Sequence, residues 1–218
     1  SPPNESVMHR LLPVVCLPLA LSAPLAAQCE RDWHTEASSF ERLGQTVAAS
    51  GHRIVAGMGP NTNGFSSGSM LSYRFDGNEM FMVQQTYPAS VEEADHIGQA
   101  VDIQGDLAVV GAPGDDEVGP QAGAVYIFRL QPSGWVEEAK LLPSNPASYW
   151  FGSAVDIDGD AVVVGGKWTE NRAGDAYVYR FDGASWSLEQ RIVPASLPEL
   201  GEYGSAVAVD GDLSLIHI

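Results

Sequence analysis

Asp115, Asp116 and Glu117 stand together just after Gly111-Ala112-Pro113-Gly114. Three adjacent carboxylates on a loop can meet a cation or a basic partner, or they can simply solvate a surface. The corresponding stretches, Asn61 to Asn63 and Thr169 to Asn171, are much less acidic. A second chemical pattern is Gly64-Phe65-Ser66-Ser67-Gly68, which has the G-x-S-x-G spacing of a nucleophile elbow. That elbow needs a strand before it and a helix after it. The motif sits instead in a repeat loop, whose counterpart in the next unit is Gly119-Pro120-Gln121-Ala122-Gly123, and a strand follows Gly68, so Ser66 is not read as a nucleophile. His34, His52, His96 and His217 form no H-E-x-x-H pattern and no Cys–His pairing, so zinc is not expected. No catalytic set emerges, and the chain is not read as an enzyme. Catalysis by the acidic loops themselves is the weakest alternative.

The elements that position these residues must suit a strongly acidic chain. Its 218 residues hold 28 Asp or Glu against 11 Lys or Arg, a formal net charge of −17. Binding nucleic acid needs a cationic face, so a nucleic-acid partner is excluded, as is docking on an anionic membrane surface. Apolar residues make up 44%, enough for a packed core, and 23 glycines point to many tight turns.

The N-terminal region reads as targeting rather than fold. Met8, His9 and Arg10 precede an apolar run from Leu11 to Ala27, the layout of a secretory signal peptide. Pro13, Pro18 and Pro24 interrupt that run, which argues against a transmembrane span. Residues 1–27 are therefore assigned to upstream residues plus signal, and 28–39 to an N-terminal segment. The expected location is secreted or extracytoplasmic. Cys16 lies in the signal, leaving Cys29 alone in the mature chain without an internal disulfide partner. Leu25-Ala26-Ala27-Gln28-Cys29 departs from a lipid-attachment motif at Gln28.

Internal repetition organises the rest. Leu43-Gly44, Ile97-Gly98, Phe151-Gly152 and Tyr203-Gly204 align, with glycine steps of 54, 54 and 52 residues. Gly51, Gly105, Gly159 and Gly211 repeat the same steps. The units are 40–96, 97–150, 151–202 and a partial 203–212. Each begins with a short strand, such as Ala100 to Ile103, then a tight glycine turn, Gln104-Gly105-Asp106 or Asp158-Gly159-Asp160, that demands positive φ. A strand apolar on both faces follows, Leu107 to Val110 or Ala161 to Val164, and should be buried on both. A third strand (Ala124 to Phe128, Ala176 to Arg180) and a mixed outer strand (Trp135 to Leu142, Trp186 to Val193) complete the unit. Four strands per unit, inner apolar and outer polar, predict an all-β propeller built of four-stranded antiparallel blades. A β-sandwich is the alternative, but it would not require one order of glycine, Trp and Pro in each unit. Trp135, Trp186 and Met80 hold one repeat position, which is expected to pack between blades rather than stack on sugar.

With its Phe151-Gly152 and Gly111-Ala112-Pro113 motifs, the chain resembles the FG-GAP repeat family, whose units build the propeller head of integrin α subunits. The resemblance covers roughly Phe40 to Leu213. It implies a propeller of seven blades when complete, extracytoplasmic, used in adhesion or ligand binding. Seven units of this length exceed 218 residues, so the chain is expected to be a partial array of three to four blades, with open blade faces. Leu213 to Ile218 breaks the repeat and is read as a non-native tail. Many family members hold calcium in an Asp-rich loop before the second strand. Asp156, Asp158 and Asp160 fit three places of that loop, and Asp102 and Asp106 fit two in the preceding unit. Ala161, Val164, Gln104, Leu107 and Val110 depart from it. A hairpin turn explains the same residues, so calcium is an open expectation at Asp102, Asp106, Asp156, Asp158 and Asp160. Asp115, Asp116 and Glu117 are carried forward as a surface for partner contact. The functional expectation is a secreted or cell-surface binding or adhesion module for an extracellular protein or polysaccharide. A non-catalytic scaffold within a larger exported protein is the alternative.

Overall fold

The computed structural model describes residues 42–59, 67–145, 149–168, 174–194, 202–211 and 213–217. The signal-like run, Cys29 and Gly64 to Ser66 lie outside the described residues. Everything described is strand, turn or loop, with no helix among those residues.

Three four-stranded antiparallel sheets follow one another along the chain, each in simple meander order. The first blade holds β1 (Arg42–Ser50), β2 (Arg53–Gly59), β3 (Ser69–Phe75) and β4 (Met80–Thr86). The second holds β5 (Val101–Gln104), β6 (Leu107–Ala112), β7 (Ala124–Gln131) and β8 (Gly134–Leu141). The third holds β9 (Tyr149–Asp158), β10 (Ala161–Trp168), β11 (Asp175–Phe181) and β12 (Trp186–Ile192). A two-stranded sheet, β13 (Ala206–Asp210) with β14 (Leu213–His217), continues the series. Strand existence and order agree with the periodicity. Each blade also carries a bulge between its third and fourth strands, with Val83, Glu138 and Glu189 as the extra residues. The alternation of residue types did not announce these bulges.

The turn from first to second strand is closed by a glycine in the left-handed region, at φ 59° for Gly105 and 61° for Gly159. The second strand is the buried centre of each blade, as its unbroken apolar run requires: Ala108, Val109 and Val110, and Val162, Val163 and Val164, are all fully buried. Two clusters fill the spaces between blades. One joins Val55, Met70 and Ile97 to Val110, Tyr126, Phe128 and Trp135. The other joins Val109, Val125 and Ile127 to Phe151, Val162, Tyr177 and Tyr179. Trp135 is buried in the first of these, so its repeat position is a packing position. Trp186 is half-buried and lies against Phe181, ring centroids 5.2 Å apart.

The repeated glycines mark where one blade's backbone touches the next. A Cβ on Gly57 would lie 1.9 Å from the carbonyl oxygen of Gly98, and one on Gly111 would lie equally close to that of Gly152. Real Cβ atoms do not approach so near, so each second-strand glycine is forced by the first-strand glycine of the following blade. Beside each contact, short parallel bridges run Gly68 to Ile97, Gly123 to Phe151 and Gly174 to Tyr203.

Candidate functional site

The acidic residues singled out by sequence sit in two separate places. The first is the seam at the turn end of the blades. The last residue of each first strand accepts the N–H of the next blade's turn glycine. Ser50 Oγ takes Gly105 N at 3.0 Å, Gln104 Oε1 takes Gly159 N at 2.5 Å and Asp158 Oδ2 takes Gly211 N at 2.7 Å. Gln104 Nε2 also donates to Asp158 Oδ1. Two residues earlier, Asp102 Oδ2 accepts Ile157 N at 2.9 Å, and Asp156 Oδ2 accepts Val209 N at 2.6 Å. These bonds satisfy backbone donors at the blade edge, which would be costly to bury unpaired.

Asp106 and Asp160, the remaining two of the five, turn outward. Asp106 pairs with Arg53 of the preceding blade at 3.1 Å, and Asp160 pairs with Arg180 of its own blade at 2.7 Å. Asp102, Asp156 and Asp158 thus serve backbone N–H groups across the seam, while Asp106 and Asp160 pair with arginines. No group of three His, Cys, Asp or Glu side chains that could hold a metal ion occurs among the described residues. Burial pushes the Asp156 carboxyl up to about 6, helped by its hydrogen bond with the Asp102 carboxylate.

The second place is the opposite end, where the loops from second to third strand meet those leading to the next blade. Asp115 is buried there, although its two neighbours Asp116 and Glu117 are exposed. Its Oδ2 accepts the Tyr126 hydroxyl at 2.9 Å and meets Lys140 Nζ at 2.7 Å. Lys140 also reaches Glu117 at 2.6 Å and lies 5.2 Å from the centre of the Tyr126 ring. Burial alone would lower the lysine, but its hydrogen bonds to Asp115 and Glu117 outweigh that and raise it. Burial pushes the Tyr126 phenol up to about 12. Asp115 also folds its own loop: its Oδ1 accepts Glu117 N, and its carbonyl accepts Gly123 N at 2.8 Å. Asp95, raised by burial and by the nearby Asp115 charge, holds the adjoining loop through Glu92 N at 2.7 Å.

Sequence reasoning took the three acids as one surface cluster. The structure divides them, with Asp115 inside and Asp116 and Glu117 outside. It also shows a counterpart that sequence reasoning missed. In the third blade, Asp175 Oδ2 accepts the Tyr177 hydroxyl at 2.7 Å and the Arg191 guanidinium at 2.8–2.9 Å. The available signal was the cross-strand register, which places Tyr126 opposite Lys140 and Tyr177 opposite Arg191.

Blade-to-blade glycine contacts and a four-stranded repeat are what the sequence comparison also recognises. Residues 86–128 and 135–179 each match the FG-GAP repeat. The chain carries FG-GAP repeats. Each matched span starts on or beside the outer strand of one blade and ends on the third strand of the next, so it contains the join between them. FG-GAP repeats form propellers, and the three four-stranded antiparallel sheets here are consistent with blades of a partial one. No curated protein matches the chain. Among the described residues, no helix is long and apolar enough to cross a membrane.

Proposed function

We propose that this chain is a secreted or cell-surface propeller module that binds an extracellular protein or polysaccharide and performs no chemistry of its own. The observation that carries this reading is the loop at residues 113–123. Its fold is fixed from within by Asp115, which is bonded to Tyr126 and Lys140 in a neighbouring strand pair. A loop anchored in this way loses little conformational freedom on binding, and its exposed Asp116 and Glu117 are held in place for a partner. The exposed acids Glu92 and Glu93 lie on the loop leading into β5, at the same end of the blades. Negative charge gathered at a loop-rich end suits a partner with a cationic surface.

The test is a binding screen of the full chain against extracellular polysaccharides and surface proteins, repeated with Asp116→Lys/Glu117→Lys. Capture of a partner that the double variant no longer holds supports the reading. A screen without any binder, or capture indifferent to the charge reversal, refutes it.

A further inference from the structure

At the turn end, the joins between successive blades differ. Each third strand carries an arginine at one repeat position: Arg74, Arg129 and Arg180. In the second blade the bulge residue Glu138 clamps Arg129 through both carboxylate oxygens. In the third, the bulge residue Glu189 meets Arg180 at 3.0 Å. In the first blade the bulge residue is Val83, so the matching carboxylate is missing.

The residue directly across the sheet compounds the difference. Arg129 faces Leu107 and Arg180 faces Ala161, but Arg74 faces Arg53. Like charges directly opposite on adjacent strands repel. Taking the arginine, its cross-strand partner and the bulge residue together, the second and third blades sum to zero and the first to +2. This occurs in a chain of net charge −17. Asp106 answers part of that charge through Arg53 at 3.1 Å, with both side chains largely exposed. Arg74 forms no salt bridge among the described residues, and the Asp76 carboxylate acts on it only through space.

A cleft of about 720 Å³ opens at this place between the first and second blades. Its lining includes His52, Arg53, Tyr73, Arg74, Gln131 and Ser133. At the corresponding join between the second and third blades, Phe181 packs on Trp186 and Arg129 lies 5.9 Å over the Phe181 ring. Leu130 stands in the first cleft where Phe181 stands in the second join.

We propose that this cleft binds a carboxylate-bearing saccharide, with a ring carboxylate taking the place of the missing glutamate on Arg74 and Arg53. Paired guanidinium groups match a carboxylate bidentately. Hydroxyl, amide and imidazole groups around them suit sugar hydroxyls, and the Tyr73 ring offers an apolar face. The volume falls within the range of small-ligand sites and is ample for two or three sugar rings. This site is distinct from the acidic loop end of the proposed module and stands whether or not that reading holds.

The experiment is calorimetric titration of the full chain with trigalacturonate, its fully methyl-esterified form, and a glutamate-rich peptide. Trigalacturonate is expected to bind, weakening with salt, while the neutral ester binds at least about tenfold more weakly. Arg74→Gln should weaken trigalacturonate at least about tenfold. Val83→Glu restores the sister blades' pairing and should abolish binding while raising the melting temperature, which separates occupancy of the site from loss of fold. Trigalacturonate binding unchanged by Val83→Glu would overturn the proposal. So would absence of wild-type binding at millimolar ligand, or a peptide that binds as tightly as the saccharide.

Discussion

In the second blade the carboxylate that meets the tyrosine and the cation arrives from a loop. In the third it stands on the strand itself. The strand position that is Asp175 in the third blade is Ala124 in the second, and the residue across the sheet changes with it: Ala112 faces Ala124, whereas Gly166 faces Asp175. A Cβ on Gly166 would lie 2.5 Å from Asp175 Oδ1, so the strand carboxylate requires the opposing glycine. The first blade has neither arrangement. Leu71 and Gln85 occupy the tyrosine and cation positions, and Gln85 Nε2 bonds Ser69 Oγ at 3.0 Å. A buried acid beside a phenol and a cation is therefore a property of the space between third and fourth strands, not of a fixed sequence position. What the two solutions do not share is their reach. Asp115 orders a surface loop as well as the core, and Asp175 sits within the sheet.

The largest effect should come from removing the strand carboxylate. Asp175→Ala leaves Arg191 and the Tyr177 hydroxyl without it, and should cost about 3–5 kcal/mol in urea unfolding. Asp115→Ala should cost less, because Lys140 keeps Glu117. Equal losses would show that the loop carboxylate is as central as the strand one. Next, Ala112→Gly with Ala124→Asp, introduced into the Asp115→Ala chain, should recover stability on the order of 1–2 kcal/mol by moving the acid to the third blade's position. No recovery would break the equivalence of the two sites.

A third test contrasts these cation-paired acids with Asp156, whose close neighbour is another carboxylate. Its carboxyl sits near 6 when folded, above the ordinary aspartate value, so the folded chain holds that proton more tightly than the unfolded one. Its contribution to stability is greatest at low pH and declines as pH rises from the unfolded value towards about 6. Asp156→Asn should raise the melting temperature at pH 7.5, raise it less at pH 5, and leave it nearly unchanged only below the unfolded aspartate value, at about pH 3. A loss at both pH 7.5 and pH 5 would mean that the charge itself is needed.

The smallest effect concerns calcium. If Asp102, Asp156 and Asp158 serve the seam through backbone N–H groups, millimolar calcium should leave the melting temperature unchanged. A rise of several degrees would make them metal ligands instead.

The fold was legible because its causes are local and periodic. The turn glycines need positive φ, the central strand is apolar on both faces, and the motif glycines recur at steps of 54, 54 and 52 residues. The bulges were hidden because an extra residue leaves no trace in composition. The acidic residues were legible as a set but not in their roles. Asp115 and Asp116 are adjacent and chemically identical, yet only register and burial separate them. Asp175 was missed because no other unit carries an acid at its position. Arg74 drew no attention because an arginine without its glutamate looks, in sequence, like any other surface arginine.

The seam bonds also set a direction. Each turn glycine is held by the blade before it, through Ser50, Gln104 or Asp158, three side chains with only an acceptor atom in common. At its turn end the join therefore asks little of the incoming unit beyond a glycine N–H, and little of the outgoing one beyond an oxygen on the last residue of its first strand. A gene that duplicated or reshuffled such units would keep its joins while the loops and clefts were free to drift. Successive blades could then acquire unlike ligands without renegotiating how they are strung together.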